Sequence, residues 1–581
     1  MLHRWTAWTI ALSFVWMGAA GCGSPESNST TGGGGAATTT TPSGGSGGAG
    51  GAAPTSAYDP AHVVEIVVSM DAADWDKLRF EKNDFQTQQV GDCLAGPKPS
   101  PYNYYPAQVT VDGQVFDKVD VRKKGALGSL SVSRPSLKVK LDAYDPAAHF
   151  FEAVKLTLNN GKQDETRIRT CLAFEAFADA GVPAPRCSFA HVTVNGNDLG
   201  VYSNIESVDD AALGNLFGDA TGNLYEGVIS DFRADWQDTY EKKTNQGNPD
   251  RSDLQALTDA LLAPDADLLA QVEPLVDVDK FLTFWAAESM LNSWDGYTGG
   301  QNNHFVYHDP TSGKLQFVPW GPDATFSADN PFSTAAPLSV LATSALPNRL
   351  YGLPDIRDQY RTRLLELVDK TFTKGRLLTE VDRMEALLGP FLDGGDGAWK
   401  AEVDGVRQFV KDRPGALQAE VAGGPVDYPF SVAGIPCSVN TGSVSATFST
   451  TMGTIDKNNP FGTGDGTIHL VQNGMPVDTG NTGAAAGMIS GYLTIAVIGF
   501  LPTDKMAIVS LQIDPSVIKA PADLPIDSQQ VIGVYGTLGA NSDFQLLSWL
   551  DGGTVHLDKV GLNADDEIVG TLSSDTFGPQ P

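Results

Sequence analysis

Basic residues are scarce in this chain. Only 39 Lys and Arg stand against 70 Asp and Glu among 581 residues, a formal net charge of −31. A surface this acidic repels phosphodiester backbones, which excludes a general nucleic-acid binder. Any phosphate chemistry must therefore rest on a local basic patch. Cysteine is scarce too: Cys22, Cys93, Cys171, Cys187 and Cys437, at spacings that fit no zinc site. After residue 22 no run is apolar for long enough to span a bilayer. Between 425 and 581 there are four Lys and no Arg. Hydrophobic residues still make up 41% of the chain, which excludes wholesale disorder and allows more than one core.

The N-terminus has the pattern of an export signal. Residues 1–21 carry an early Arg4, an apolar stretch from Trp5 to Met17 and small residues before Cys22. Small residues followed by Cys resemble a bacterial lipobox, although Ala19 replaces the usual large aliphatic residue. The expectation is a lipid on Cys22, with plain secretion as the alternative. Residues 22–57 are almost entirely Gly, Ser, Thr, Ala and Pro, with Glu26 the only charge up to Ser56. That composition cannot bury a core and reads as a tether. Outside the cytoplasm the remaining four Cys allow disulfides, and Cys171–Cys187 is the favoured pair.

Residues 58–424 begin with strand patterns and turn helical. Strands are predicted at His62–Ser69, Ala107–Val111, Lys118–Arg122, Ser136–Leu141 and Ala153–Leu158. A helix over Arg167–Ala180 stops at Gly181-Val182-Pro183, and a hairpin turns at Asn195-Gly196. Helices then dominate, interrupted by a hairpin over His304–Pro319. The order is α+β. Residues 425–581 show short alternating strands separated by Gly, Asn and Asp turns, the pattern of an all-β sandwich without a catalytic cluster.

One stretch breaks the acidic background. Arg122, Lys123, Lys124, Arg134, Lys138 and Lys140 occur with no acid among them, around the Gly/Ser-rich loop 125–133. Period two puts Ser136, Lys138 and Lys140 on one strand face and Leu137, Val139 and Leu141 on the other. Arg122, Ser136, Lys138 and Lys140 are thus candidate phosphate contacts; a solvated strand edge is the plain alternative. Further on, Asp295 closes a long helix in a Gly-rich turn, Asn302 and Asn303 precede a strand, and Asp323 follows one. Asp295 suits a hydroxyl proton, while Asn303 and Asp323 offer oxygen ligands to a hard divalent cation. Basic strand, acid with Asn, then strand-end Asp is the order kinases use.

Several stretches in register resemble the CotH-type secreted atypical protein kinases. They are Val121-Arg-Lys-Lys-Gly125, Arg134-Pro-Ser-Leu-Lys-Val-Lys-Leu141, Val154-Lys-Leu-Thr-Leu-Asn-Asn160 with Asp164, and Gly181-Val-Pro-Ala-Pro-Arg186. Val194-Asn-Gly196 with Gly200-Val-Tyr202 and Glu206, Leu224-Tyr225, Tyr240-Glu-Lys-Lys-Thr-Asn245, Asp295 with Asn303, and Pro319-Trp320 with Asp323 follow. The resemblance implies a two-lobed protein-kinase-like body, ATP with Mg²⁺ or Mn²⁺, and phosphate transfer to Ser or Thr of surface or coat proteins. It implies Lys138, or else Lys140, on the ATP phosphates, Asp295 as catalytic Asp, Asn303 and Asp323 at the metal, and Glu206 near the nucleotide. The family's Pro-Trp-Asp-x-Asp has Gly321 at its first Asp here. That substitution keeps a second expectation open, a catalytically degenerate surface or adhesion lipoprotein on the same scaffold.

Overall fold

The computed structural model describes residues 54–579, apart from 84, 97–99, 127, 329–335, 396, 435–436, 456–461, 463, 490, 503–504 and 540–543. The export-type segment, Cys22 and all but the end of the tether lie outside the described residues. Ala57, at that end, is already buried, and its carbonyl accepts from Asn204 Nδ2 at 2.8 Å.

Seven strands form a closed barrel: β1 (Val63–Met70), β2 (Tyr105–Val111), β3 (Gln114–Lys124), β4 (Ser136–Lys140), β5 (Lys155–Asn159), β6 (Cys187–Val194) and β7 (Asn197–Ile205). Their order is β1-β2-β3-β4-β5-β7-β6, and β6 closes the barrel by pairing parallel to β1. Alternation does the sorting: Val64, Ile66 and Val68 of β1 meet Leu137, Val139, Leu156 and Leu158 in one core. The helix Ala72–Phe80 follows β1, capped by Asp71, whose carboxylate accepts from Ala73 and Asp74 N–H.

The next part is mostly helical. A small sheet, β8 (Asn223–Gly227), β9 (Tyr240–Lys242), β10 (His304–Asp309) and β11 (Lys314–Pro319), runs β11-β10-β8-β9. It packs against the nearly all-buried helix Val278–Leu291. Among the described residues no helix is long and apolar enough to cross a membrane.

The C-terminal part is all β. It comprises β12 (Ser438–Thr451), β13 (Asp465–Gln472), β14 (Met475–Val477), β15 (Gly480–Ile489), β16 (Tyr492–Phe500), β17 (Met506–Ile513), β18 (Ala522–Ile526), β19 (Val531–Leu538), β20 (Phe544–Lys559) and β21 (Glu567–Pro579). The all-β pattern expected here is found: the strands form one continuous ten-stranded hydrogen-bonded sheet whose inward residues share a core. Val444 and Phe448 of β12 share a core with Ala484 of β15 and Leu511 of β17, and a bridge from Gly464 to Ala484 nearly joins the two ends. β15 and β21 escape sequence detection because glycines and hydroxyl side chains blur their alternation.

Two disulfides form. Cys171–Cys187 ties the helix Arg169–Ala180 to β6, and Cys93–Cys437 ties the segment after the first helices to the start of β12.

Candidate active site

A cavity of about 1080 Å³ opens where the barrel, the helical part and the C-terminal sheet meet. The barrel contributes Arg122, Lys124 and Lys138, and the helical part contributes Glu226, Lys243, Asp295, Asn302, Asn303 and Asp323. Lys138 faces the cavity because β4 is pleated: Leu137 and Val139 are fully buried in the barrel core, and Lys138 points the other way. In the ladder, Arg122 of β3 lies opposite Lys138.

The basic stretch divides by strand face and packing. Lys123, one residue before Lys124, is buried and donates to the Arg79 carbonyl at 2.7 Å and to Gln529 Oε1 of the C-terminal sheet. Arg134 donates to the Val201 carbonyl and lies over the Tyr202 ring. Lys140 is half-buried and does not line the cavity. Ser136 is buried and does not line the cavity, and its hydroxyl accepts from the Asn160 N–H at 2.9 Å. Glu206 is bound to Arg186 at 2.6 Å and stays outside the cavity, although the next residues, Ser207 and Val208, line it.

Of the four lysines that face the cavity, Lys124, Lys138 and Lys243 act on one acid, and Lys155 pairs with Asp209. Glu226 accepts from Lys243 at 2.9 Å. Burial pushes its carboxyl up, but Lys243, Lys138 and Lys124 together hold it below the usual range. Burial pushes Lys138 down to about 8, helped by Lys243 and Arg122. It pushes Lys124 to about 8 against the pull of Glu226 and Asp323. Lys243 also pairs with Glu241 and Lys155 with Asp209, both in the cavity lining, whereas Arg122, Lys124 and Lys138 form no ion pair among the described residues and suit phosphate oxygens.

The opposite wall is acidic. Asp295 accepts from Asn303 Nδ2 at 2.8 Å and from Asn302 Nδ2 at 3.1 Å. Burial raises its carboxyl to about 6, opposed by these two amides. Asp323 is raised to about 7 by burial, by Asp295 and by Asp164, and has no ion-pair partner among the described residues. Two desolvated carboxylates, one of which raises the other, beside a carboxamide form a hard-oxygen set that a divalent cation would relieve. The set therefore fits such an ion through Asp323, Asn303 and Asp295. Among the described residues no group of three or more His, Cys, Asp or Glu converges in this way.

Two buried acids hold the loop that presents these groups. Glu288, near the end of the long helix, accepts from Tyr297 N–H at 3.1 Å, Thr298 N–H at 2.7 Å and Thr298 Oγ1 at 2.6 Å. Gly296 is obligatory there, since a Cβ would meet Glu288 Oε1 at 2.2 Å. Asp231 accepts from Tyr297 OH, Gln301 Nε2 and Ala345 N–H. Asn292, Gln301 and Asn303 all take left-handed backbone angles, so the loop doubles back and turns both amides onto Asp295. His304, just after it, is buried, pushed down to about 4 and therefore neutral, with Nδ1 facing the Asn302 carbonyl at 3.1 Å.

The profile of the family described as "CotH kinase protein" matches residues 121–417, just over half of the chain and the whole span of these walls. The chain belongs to the CotH kinase protein family. It is similar to inner spore coat protein H of Bacillus subtilis, 25% identical over 289 residues, covering 46% of this chain and 79% of that protein. It is also similar to invasin CotH2 of Rhizopus delemar, at 24% identity, covering 41% of this chain and 44% of that protein, so under half of the invasin's length is spanned. Among solved structures, a proinflammatory kinase, CtkA, of Helicobacter pylori has 9% identity and a TM-score of 0.22 over 60% of this chain and all of that one; at that score the likeness carries no argument.

Within this CotH-family cavity, sequence reasoning places Arg122, Lys138, Asp295, Asn303 and Asp323 together. It misses Lys124, Glu226, Lys243, Glu288 and Asp231. Lys124 is within the basic stretch already noted, and Lys243 within the Tyr240–Asn245 motif. For Glu226, Glu288 and Asp231 there is no local signal, because each acts through residues distant in the chain.

Proposed function

We propose that this chain is an extracytoplasmic atypical kinase that transfers the terminal phosphate of ATP, with Mg²⁺ or Mn²⁺, to Ser or Thr of surface or coat proteins. The observation that carries the reading is one cavity with desolvated lysines on one wall and two desolvated aspartates on the other. A metal–nucleotide complex offers the opposite sign to each wall. In this reading Lys138, Lys124 and Arg122 bind phosphate oxygens, and Glu226 with Lys243 keeps those ammonium groups in place. Asp323 and Asn303 would hold the metal, which when bound supplies charge neutralisation to the phosphates. Asp295 orients the acceptor hydroxyl and takes its proton as the new O–P bond forms and the bond to ADP breaks. Asn302 and Asn303 hold Asp295 in the orientation this requires.

The extracytoplasmic setting is supported by the export-type N-terminus, by two disulfides, and by relatives named as a spore coat protein and as invasins. A lipid on Cys22 would fix the body to a membrane through the tether, and nucleic acid is not expected as a partner of so acidic a chain. A second reading, a catalytically silent surface scaffold, is favoured by Gly321 and by the appended β domain. Incubation of the full chain with labelled ATP and Mg²⁺ or Mn²⁺ decides between them. Label that is lost in both Asp295→Ala and Lys138→Ala is expected; equal labelling of wild type and both variants overturns the kinase reading.

A further inference from the structure

The cavity is chemically divided. Every charged side chain that lines it comes from the barrel or the helical part. The C-terminal sheet contributes Ser528, Ile532, Leu546 and Trp549, and the segment before β2 adds Pro101 and Tyr102 together with polar Gln88, Gln89 and Ser100. None of these brings a charge.

This uncharged wall is firmly mounted. Cys93–Cys437 joins the segment to the sheet, and Gly91 N–H donates to the Ser438 carbonyl at 3.1 Å. Tyr102 OH donates to the Gly125 carbonyl at 2.6 Å. From the sheet, the turn Asp527–Gln529 reaches the barrel: Gln529 accepts from buried Lys123, and Asp527 lies 3.8 Å from Lys82.

The wall also lies at one particular end of the cavity. Lys138 sits opposite Thr157 in the ladder, and Thr157 Oγ1 lies 2.8 Å from Ser207 Oγ, on the chain that crosses between the lobes. There Val154, Val208, Leu224 and Phe305 give a separate apolar lining, suited to a nucleobase. Asp323 acts on Lys124, and Gly125, the next residue, is the one Tyr102 grips. Lys123, the residue before Lys124, donates to Gln529 of the C-terminal sheet, so the sheet meets the cavity at its Lys124 end, the end on which Asp323 acts.

We infer that the C-terminal sheet is the acceptor-binding wall of the site. Its occupant is an uncharged polypeptide segment with a Ser or Thr next to a bulky apolar residue, which packs on Ile532, Leu546 and Trp549. The inference rests on the phosphotransfer reading. It makes the C-terminal part a specificity element of the reaction, which a free-standing appendage would not be.

The test uses the full chain, ATP with Mg²⁺, and three neutral-backbone peptides that differ only beside the Ser: Leu, Gly or Asp. Wild type should prefer the Leu peptide. Trp549→Ala and, at a half-exposed position, Leu546→Gln should each raise its KM by about tenfold, leaving the KM for ATP within twofold. The KM for the Gly peptide should hardly move. A rise in the KM for ATP would mean that the base packs on this wall, and overturns the inference. So does an unchanged KM for the Leu peptide in both variants, or a wild-type preference for the Asp peptide, while the kinase reading stands. A wild type that neither binds nor hydrolyses ATP overturns both.

Discussion

Asn303 and Gly321 share one space. A Cβ on residue 321 would stand 3.0 Å from Asn303 Oδ1, and Gly321 has φ +48°. The same Asn303 donates to Asp295 at 2.8 Å. A side chain at 321 would therefore require Asn303 to shift by a few tenths of an ångström beside Asp295. Gly321→Ala should push Asn303 aside, cost about 1 kcal/mol of stability and reduce phosphate labelling several-fold. Thermal melting and labelling check this together; a variant with unchanged melting and unchanged labelling would show that the two residues do not compete.

Lys138 and Lys140 share a strand face, yet only Lys138 reaches the cavity. Removing one charge-assisted phosphate contact costs about 1.5–3 kcal/mol. Lys138→Ala should therefore weaken metal–nucleotide binding tenfold or more, and Lys140→Ala by less than twofold. Calorimetric titration with a non-hydrolysable ATP analogue reads both. Equal losses would place Lys140 at the phosphates as well.

The buried ionisable groups predict how stability varies with pH. Glu288 is raised from 4.5 to about 7 and Asp231 from 3.8 to about 6, chiefly by burial. Between those values the native chain keeps protons that the unfolded chain has released. Their contribution is complete below about pH 4 and is lost as pH rises to about 7. The buried lysines act in the opposite sense: Lys123 is lowered from 10.5 to about 7 and Lys124, Lys138 and Lys162 to about 8, again by burial. Their contribution is complete above about 10.5 and fades as pH falls towards 8. Without ligand, stability should pass through a minimum near pH 7–8. Glu288→Gln should flatten the fall between pH 5 and 7 by about one proton, or about 1.4 kcal/mol per pH unit. Thermal melts of both proteins across pH 4–10 measure it, and a wild-type curve that rises from pH 5 to 7 would refute the assignment.

The residues themselves decide how much was legible in the chain. Lys138 was, because a two-residue period sends Leu137 and Val139 inward whatever the strand pairs with. Asp295 and Asn303 were, because their loop is local: eight residues separate them, and the glycines between allow the chain to double back. Cys171–Cys187 spans only 16 residues and was foreseeable for the same reason. Periodicity put Lys140 on the same face as Lys138 and the resemblance alone ranked it second, since a period assigns a face but not how far along it the cavity extends.

Short-range pattern thus determined most of the barrel strands, the turns, the acidic background and the one basic exception, since each depends on neighbours within a few residues. Only the tertiary structure decided that Glu226 gathers Lys124, Lys138 and Lys243, that Cys93 pairs with Cys437 across 344 residues, and that Trp549 looks into the same cavity as Asp295. Those relations join groups that no period links. They arise from desolvation and closure, which act only once distant segments have packed together.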